Sequence, residues 1–287
     1  MGYKIITDSS ADIKKEVLES WGVELLYLSF RFTDDEKMYT GEDMPISDFY
    51  AAMRSGRVAK TSAINTESFK LAFEEHLKAG EDILYIGFSS GLSSTYSAGH
   101  LAAVALREQY PDRKIITVDT LAASAGQGLM VYLAKEKQAA GATLEEVGAY
   151  LEQIKQNVAH WFTVEDLVYL KRGGRVSAAA AFFGNMLGIK PVLHVDSEGH
   201  LTPVEKVRGR RTSLNTILDK YAATALDPAA GPVFISHADC LADVEYISAE
   251  LERRFGAKVA HVTDVGTVIG AHAGPGTLAF FYLGKER

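Results

Sequence analysis

The feature that most constrains the fold is an alternation of short apolar runs with helical segments through the first half of the chain. Runs typical of strands lie at residues 3–7, 23–30, 83–88 and 114–118, and helical spacing is seen at residues 11–21, 47–54, 67–79, 98–109, 121–139 and 144–157. Apolar strands separated by helices favour a mostly parallel sheet that is covered on both faces. The first half therefore predicts an α/β domain.

The second half changes character near His160. Two strand-like runs, at residues 190–195 and 201–207, are joined by turn residues at 196–199 and predict a hairpin. Further strands are predicted at 161–164, 232–236, 258–264 and 277–283, with helices at 212–225 and 242–255. This pattern predicts an α+β domain with a mixed sheet. We expect two domains, residues 1–158 and 159–287, with a ligand cleft between them.

A turn rich in hydroxyl groups follows the strand at residues 83–88. It reads Ser89-Ser90-Gly91-Leu92-Ser93-Ser94-Thr95 and leads directly into the helix at 98–109. The first turn of a helix has unpaired backbone N–H groups, and the helix dipole favours negative charge there. The turn therefore predicts an anion site, with simple capping of the helix by Ser or Thr as the alternative.

The same turn also fits a hydrolase motif. Gly87-Phe88-Ser89-Ser90-Gly91 matches the G-x-S-x-G nucleophile elbow, which lies between a strand and a helix. Asp264 and His272 follow in the order that a Ser, Asp, His triad would need. A serine hydrolase with Ser89 as its nucleophile is therefore an alternative function.

Four other segments carry candidate site residues. Thr61 and Ser62 lie in a predicted loop and suit either a ligand site or a turn. His272 lies in a glycine-rich segment before the last strand, where its small neighbours leave it unshielded, so a functional and a structural role are both open. Two basic runs are typical of solvated turns, with a partner-docking surface as the alternative; their arginines are Arg172, Arg175, Arg208 and Arg210.

Charge and composition argue against several functional classes. The net charge of −7 argues against nucleic acid as the general partner. Cys240 is the only cysteine and the histidines lack metal-ligand spacing, so we expect neither an intrachain disulfide nor a metal site. The apolar stretch at 178–189 is too short to span a bilayer, and the start of the chain lacks the layout of a signal peptide. We expect a cytoplasmic protein with at most transient membrane contact.

A series of motifs in order along nearly the whole chain resembles the DegV family. The motifs are Asp8-Ser-Ser-Ala-Asp12, Lys60-Thr61-Ser62, Ser89-Ser-Gly-Leu-Ser93-Ser-Thr-Tyr96, Val118-Asp119-Thr120, Leu170-Lys-Arg-Gly-Gly-Arg-Val176, Lys190-Pro191, Lys206-Val-Arg208 and His272-Ala-Gly-Pro-Gly-Thr277. The resemblance implies a two-domain bacterial protein that binds a long-chain fatty acid and needs no other cofactor. It further implies a likeness to FakB, the subunit of fatty acid kinase that presents the fatty acid carboxylate to a separate ATP-dependent subunit.

The resemblance also implies roles for individual residues. Thr61 and Ser93 would hold the carboxylate, with Ser62, Ser94 and His272 nearby. This chain differs from the usual family pattern at Ser94, where the family has Gly, and at residues 63–65, where the family has Gln and Pro. Residues 178–187 and 280–282 could wall an acyl tunnel, or they could be ordinary core. From the sequence we therefore expect a fatty-acid-binding protein without catalytic activity of its own.

Overall fold

The computed structural model describes residues 2–176 and 188–287. The strands are β1 (Tyr3–Asp8), β2 (Glu24–Leu26), β3 (Ser29–Phe32), β4 (Ala59–Ser62), β5 (Asp82–Gly87), β6 (Ile115–Asp119), β7 (Val158–Thr163), β8 (Ile189–Val195), β9 (Leu201–Arg208), β10 (Val233–His237), β11 (Val259–Asp264) and β12 (Leu278–Leu283). The helices are α1 (Lys15–Ser20), α2 (Ile46–Arg54), α3 (Thr66–Lys78), α4 (Thr95–Gln109), α5 (Ala125–Ala139), α6 (Leu144–Ile154), α7 (Val168–Gly173), α8 (Arg210–Thr224), α9 (Leu241–Phe255) and α10 (Thr267–Ala273).

The strands of the described residues form two main sheets and a short ribbon. The first sheet has the order β2-β1-β5-β6, and its strands are parallel. The second has the order β11-β10-β12-β7-β8-β9 and is mixed, because β10 and β11 are parallel while the other neighbours are antiparallel. β3 and β4 pair antiparallel as a separate ribbon. The predicted fold class, a parallel sheet with flanking helices plus a mixed sheet, is confirmed.

Helix α5 lies between the two main sheets and joins them. It contacts β5 of the first sheet and β7, β10 and β12 of the second. The buried side chains of Leu84, Leu129, Phe234 and Phe281 belong to one apolar cluster that spans this interface. Helices α8 and α9 cover the opposite face of the second sheet with a separate cluster. The division into domains 1–158 and 159–287 stays a prediction, although the strands of the first sheet all precede residue 158 and those of the second sheet begin with β7 at Val158.

The hairpin predicted in the second half is present as β8 and β9. The carboxylate of Asp196 accepts the backbone N–H groups of Glu198 and His200, at 3.0 and 2.9 Å. Gly199 adopts a positive φ of 81°, which a glycine does at little cost. The turn residues at 196–199 therefore close the hairpin as their chemistry predicts.

The predicted strand at 23–30 is instead two strands that belong to different sheets. The backbone N–H of Leu28 donates to Ser9 Oγ at 3.0 Å. This N–H group is therefore not available to continue the backbone hydrogen bonds of the first sheet. The chain then leaves the first sheet, and β3 pairs with β4. As a consequence, Thr61 and Ser62 lie in a strand and not in the loop that the sequence suggested.

Two predicted helices begin later than expected because residues near their start adopt left-handed backbone conformations. Asp12 has a φ of 50° and separates a short 3₁₀ turn at Ser9–Ala11 from α1. Leu121 and Ser124 have φ values of 52° and 54°, so α5 begins only at Ala125. Such conformations are costly for residues other than glycine and concentrate where surrounding structure enforces them. Ser124 lines the site described next, and its hydroxyl donates to the Asp12 carboxylate.

Candidate functional site

A cavity of about 310 Å³ lies between the second sheet and the turns that follow β5 and β6. Helices α7 and α10 and strand β4 also contribute to its wall. Most of the lining is apolar: Leu28, Ala63, Phe88, Leu92, Ala123, Phe162, Leu170, Val195, Leu201, Val265, Val268, Ile269, Ala273, Ala279 and Phe281. A set of polar residues that we call the polar rim also lines the cavity: Thr61, Ser93, Ser94, Arg175 and His272. The cavity thus combines a largely apolar wall with a cluster of hydrogen-bonding groups at the polar rim.

The buried carboxylate of Asp8 holds the hydroxyl-rich turn in place. It accepts hydrogen bonds from the Tyr85 hydroxyl at 2.9 Å and from the backbone N–H groups of Phe88 and Ser10, at 3.0 and 3.1 Å. Burial raises the pKa of Asp8, although these hydrogen bonds act in the opposite direction. Asp8 therefore ties the end of β1 to the end of β5. The polar turns at the strand ends meet at one edge of the sheet, as expected for parallel strands.

Ser93 and Ser94 lie directly before α4. Ser93 Oγ accepts the backbone N–H of Thr95 at 3.2 Å and lies 2.8 Å from Thr95 Oγ1. Ser94 occupies the N-cap position, makes no capping hydrogen bond through its side chain, and is exposed. Capping therefore involves the Ser93 side chain but leaves the Ser94 hydroxyl available for another partner at the rim.

Thr61 and His272 form a direct contact across the polar rim. Thr61 Oγ1 lies 2.8 Å from His272 Nε2. Burial lowers the pKa of His272 to about 4, and the nearby charge of Arg175 acts in the same direction. The imidazole is therefore neutral at neutral pH.

The surroundings of His272 differ from the sequence-based expectation. The first part of its glycine-rich segment belongs to α10, and the ring is packed against Gly173 of α7, where any side chain would overlap Nδ1. Nδ1 is buried and has no hydrogen-bond partner within the described residues. The expectation that small neighbours leave His272 unshielded is wrong, because the shielding comes from α7, which is distant in sequence.

Ser62 lies apart from the other predicted carboxylate ligands. It is exposed and is not among the residues that line the cavity. Successive residues of a strand point to opposite faces, so Thr61 and Ser62 cannot both face the cavity from β4. The structure thus brings Thr61, Ser93, Ser94 and His272 together and leaves Ser62 outside.

The four arginines of the basic runs have different environments. Arg175 is exposed at the rim, where its Nε lies 3.4 Å from the Leu92 carbonyl oxygen. Arg172 is exposed, with its guanidinium 5.8 Å from the Tyr169 ring, and Arg208 is exposed at the end of β9. Arg210 is engaged within the fold: its Nε donates to Asp243 Oδ2 at 2.9 Å and its Nη2 to the Gly276 carbonyl at 2.7 Å.

The residues of the hydrolase alternative lie in separate environments. The Ser89 hydroxyl is buried and donates to the Gly199 carbonyl at 2.9 Å. In the described part of the chain, no histidine is hydrogen-bonded to Ser89. His272 contacts Thr61, and Asp264 lies 3.7 Å from a different histidine, His237. This arrangement lacks the contact between nucleophile and base that a triad requires.

Sequence reasoning missed most of the deeper cavity wall. Ser124, His160, Phe162 and Ser236 all line it, yet none was predicted as a site residue. The period of two along a strand could have found some of them. The same period explains the predicted tunnel wall at 280–282. Phe281 lines the cavity, while Phe280 and Tyr282 pack in the cluster under α8 and α9. The other predicted wall segment, 178–187, lies outside the described residues, so its role stays a prediction.

Within residues 2–176 and 188–287, no group of His, Cys, Asp and Glu side chains is placed to hold a metal ion. In the same ranges, no helix combines the length and the apolar character needed to cross a membrane.

Comparisons with known proteins give a consistent result. The family model of DegV matches residues 3–285. A DegV domain-containing protein of Clostridium perfringens is 38% identical over 286 residues, which cover 99% of this chain and 98% of the relative. Among solved structures, a DegV lipid-binding protein of Thermotoga maritima superposes with a TM-score of 0.87 at 32% identity, covering 100% of both chains. A fatty-acid-binding DegV family protein of Thermus thermophilus gives 0.89 at 31% identity, covering 99% of this chain and 100% of the other.

Proposed function

We propose that this chain, which belongs to the DegV family, binds a long-chain fatty acid in the cavity and holds its carboxylate at the polar rim. The observation that carries the proposal is the combination of an apolar cavity with a rim of hydroxyl groups and a neutral imidazole. Similar structures from Thermotoga maritima and Thermus thermophilus are of lipid-binding and fatty-acid-binding proteins. The chemistry of the cavity matches the two ends of such a ligand.

The acyl chain accounts for the apolar wall. Each CH₂ group moved out of water contributes about 0.8 kcal/mol, so a long chain gains most of its affinity from burial. Phe88 and Leu92 contribute apolar side chains from the turn that follows β5 of the first sheet. Phe162 and Phe281 contribute apolar side chains from strands of the second sheet. A ligand there would be shielded from solvent along much of its length.

The carboxylate accounts for the polar rim. When the proton of the neutral His272 is on Nε2, it donates to Thr61 Oγ1, and the Thr61 hydroxyl hydrogen is then free to point at a carboxylate oxygen. Ser93 and Ser94 supply further hydroxyls at the start of α4, where the helix dipole favours an anion. We assign Thr61, Ser93 and Ser94 to the carboxylate and His272 to the orientation of Thr61.

Such a site suits a protein that presents its ligand rather than one that transforms it. Hydroxyl donors hold a carboxylate without the bidentate grip of an arginine, and the Arg175 guanidinium at the polar rim donates to the backbone carbonyls of Leu92 and Gly173. The carboxylate oxygens therefore stay reactive toward a phosphoryl donor. We propose that a separate ATP-dependent fatty acid kinase forms the acyl phosphate, while this chain contributes no catalytic group or cofactor of its own. Arg172, Arg175 and Arg208 are exposed and supply positive charge for an acidic partner or for nucleotide phosphates.

A titration with matched ligands tests the binding proposal. Delipidated protein is titrated by calorimetry with oleate and with oleyl alcohol, which shares the hydrocarbon chain but has no carboxylate. We expect oleate to bind at one molecule per chain and oleyl alcohol to bind at least about tenfold more weakly, because hydrogen bonds to a charged group are worth about 1.5–3 kcal/mol. Absence of oleate binding, or equal binding of the two ligands, would contradict the proposal.

A further inference from the structure

The cavity ends on the last strand of the second sheet at one particular residue. Thr277, directly before β12, and Ala279 and Phe281 within it line the cavity at a spacing of two. Leu283, the next residue at this spacing, packs against the apolar cluster between the sheets and is not part of the described lining. Residues two apart on a strand share one face of the sheet. Phe281 is therefore the last residue of β12 that reaches the cavity.

The neighbouring strand β7 ends its contact with the cavity at the same level. His160 lines the cavity and pairs with Phe281, whereas Val158 pairs with Leu283 and belongs to the cluster between the sheets. The ring centroids of His160 and Phe281 lie 5.3 Å apart, with the ring planes at 88°. The polar rim lies toward the opposite end of β12, because His272 in α10 precedes that strand. His160 and Phe281, which we call the terminal pair, thus lie at the end of the cavity away from the rim.

A glycine of α5 determines how far the terminal pair stands back from the cavity. A Cβ atom at Gly126 would overlap His160 Nε2 and would lie 2.9 Å from Phe281 Cδ1. Any side chain at residue 126 would therefore push both rings away from α5. Since both rings also line the cavity, they would move into it. The depth of the cavity thus depends on the close packing of the terminal pair against Gly126.

The terminal pair is held firmly in place. Both side chains are buried, and His160 Nδ1 lies 2.8 Å from the Val158 carbonyl oxygen. Burial lowers the pKa of His160 well below its ordinary value, so the ring is neutral and donates its Nδ1 proton to that carbonyl. This hydrogen bond fixes the orientation of the imidazole, and the Phe281 ring packs edge-on against it. A methyl end that reached the terminal pair would meet a closely packed wall.

We infer that the terminal pair limits the length of the acyl chain that the cavity accepts, and that Gly126 sets this limit. The inference rests on the proposed fatty acid binding and specifies which fatty acids bind. Each CH₂ group that a longer chain buries raises the affinity about fourfold. A chain longer than the cavity must displace the terminal pair, and closely packed side chains resist displacement. The affinity should therefore rise with chain length up to a limit and then fall.

A series of saturated acids tests the inference on the wild-type protein. Delipidated protein is titrated by calorimetry with laurate, myristate, palmitate, stearate and arachidate. We expect the affinity to rise up to one acid of the series and to fall at the next longer acid. A continuous rise through the whole series would overturn the inference. Failure of every acid to bind would contradict the proposed function, and this inference with it.

Phe281→Leu and Phe280→Leu form a matched pair of variants. Phe281→Leu shortens one member of the terminal pair, so the first acid that is too long for the wild type should bind at least about fourfold more tightly, the gain for one more buried CH₂ group. Phe280→Leu makes the same change on the other face of β12, in the cluster under α8 and α9, and should keep the wild-type order of affinities. The inference is overturned if Phe281→Leu keeps that order, or if Phe280→Leu changes it equally.

Gly126→Ala tests the limit in the opposite direction and serves if Phe281→Leu fails to fold. The added Cβ should push the terminal pair into the cavity, so the acid that binds best should become shorter by at least one member of the series. Gly148→Ala is the control, because a Cβ at Gly148 of α6 would lie 3.0 Å from Ile116, away from the cavity lining. An unchanged best acid in Gly126→Ala would overturn the inference. The wild-type series remains decisive if neither variant folds.

Discussion

Thr61 Oγ1 and His272 Nε2, 211 residues apart in sequence, lie 2.8 Å from each other at the rim of the cavity. The contact joins β4 of the small ribbon to α10, which precedes the last strand of the second sheet. It brings a hydroxyl from the first half of the chain to an imidazole from the second half. The proposed carboxylate site is therefore assembled from distant parts of the sequence.

Removal of two rim hydroxyls tests the carboxylate assignment. Thr61→Ala combined with Ser93→Ala should lower the affinity for oleate at least tenfold, because each hydrogen bond to a charged group contributes about 1.5–3 kcal/mol. Calorimetric titration measures the change, and circular dichroism checks that the fold persists. Ser62→Ala is the matched control and should bind like wild type, since Ser62 is exposed and outside the cavity lining. Unchanged oleate binding in the double variant would show that the assignment is wrong.

The buried imidazole of His272 predicts a specific dependence of stability on pH. Its pKa is lowered from 6.5 to about 4 by burial. Between these values the unfolded chain binds a proton that the folded chain does not, so the free energy of unfolding falls as the pH falls from about 6.5 to about 4. This one group accounts for up to about 3 kcal/mol of that loss.

Urea unfolding of wild type and His272→Gln at several pH values between 4 and 7 measures this contribution. The glutamine side chain can still donate to Thr61 but does not titrate in this range. We expect a shallower pH dependence in the variant. If the free energy of unfolding depends on pH in the same way in both proteins, the pKa of His272 is not lowered by its surroundings.

The hydrolase alternative predicts a reactive serine, and the fatty-acid-binding account does not. Ser89 is buried and bonded to the Gly199 carbonyl, without a histidine partner among the described residues. We therefore expect no covalent adduct on incubation with a fluorophosphonate probe and no turnover of acyl esters. Intact-protein mass spectrometry measures the adduct. Stoichiometric labelling that disappears in Ser89→Ala would support the hydrolase instead.

Charge reversal at the exposed arginines tests the proposed kinase docking. Arg172→Glu with Arg208→Glu should leave oleate binding nearly unchanged but strongly reduce acyl phosphate formation with an added fatty acid kinase subunit, since surface charges mainly affect association. Arg210 is unsuitable for this test, because its bonds to Asp243 and Gly276 support the segment after α10.

The docking test has a matched control in Lys258→Glu. Lys258 is exposed and precedes β11, at the opposite edge of the second sheet from β9. This variant should retain the wild-type kinase rate. For the wild-type protein, acyl phosphate formation with the kinase subunit should slow as the salt concentration rises. If the double arginine variant has the wild-type kinase rate at low salt, Arg172 and Arg208 do not belong to the proposed docking surface.

The parts of the fold that could be predicted are those set by local sequence. Apolar runs and turn residues located the parallel sheet and the hairpin at Asp196, because strand burial and turn chemistry act over a few residues. The ribbon of β3 and β4 was missed, since it depends on Ser9 accepting the N–H of Leu28 from 19 residues away. Local pattern alone cannot indicate such a contact.

The candidate site likewise has one part that could be predicted from local sequence and one part that could not. The hydroxyl turn at Ser93 was predictable from a strand, a polar turn and a helix start in direct succession. The environment of His272 was not, because it depends on packing against Gly173, and the positions of Ser236 and His160 depend on the register of three strands. Long-range packing and register lie beyond what a single sequence specifies locally.

Native mass spectrometry of the protein as purified shows whether the chain carries a fatty acid. We expect a population whose mass exceeds that of the chain by one long-chain fatty acid, and the fatty acid should be released and identified when the protein is denatured. In Thr61→Ala combined with Ser93→Ala, that population should shrink relative to Ser62→Ala. A wild-type protein that carries no fatty acid and acquires none when incubated with oleate or palmitate would contradict the account.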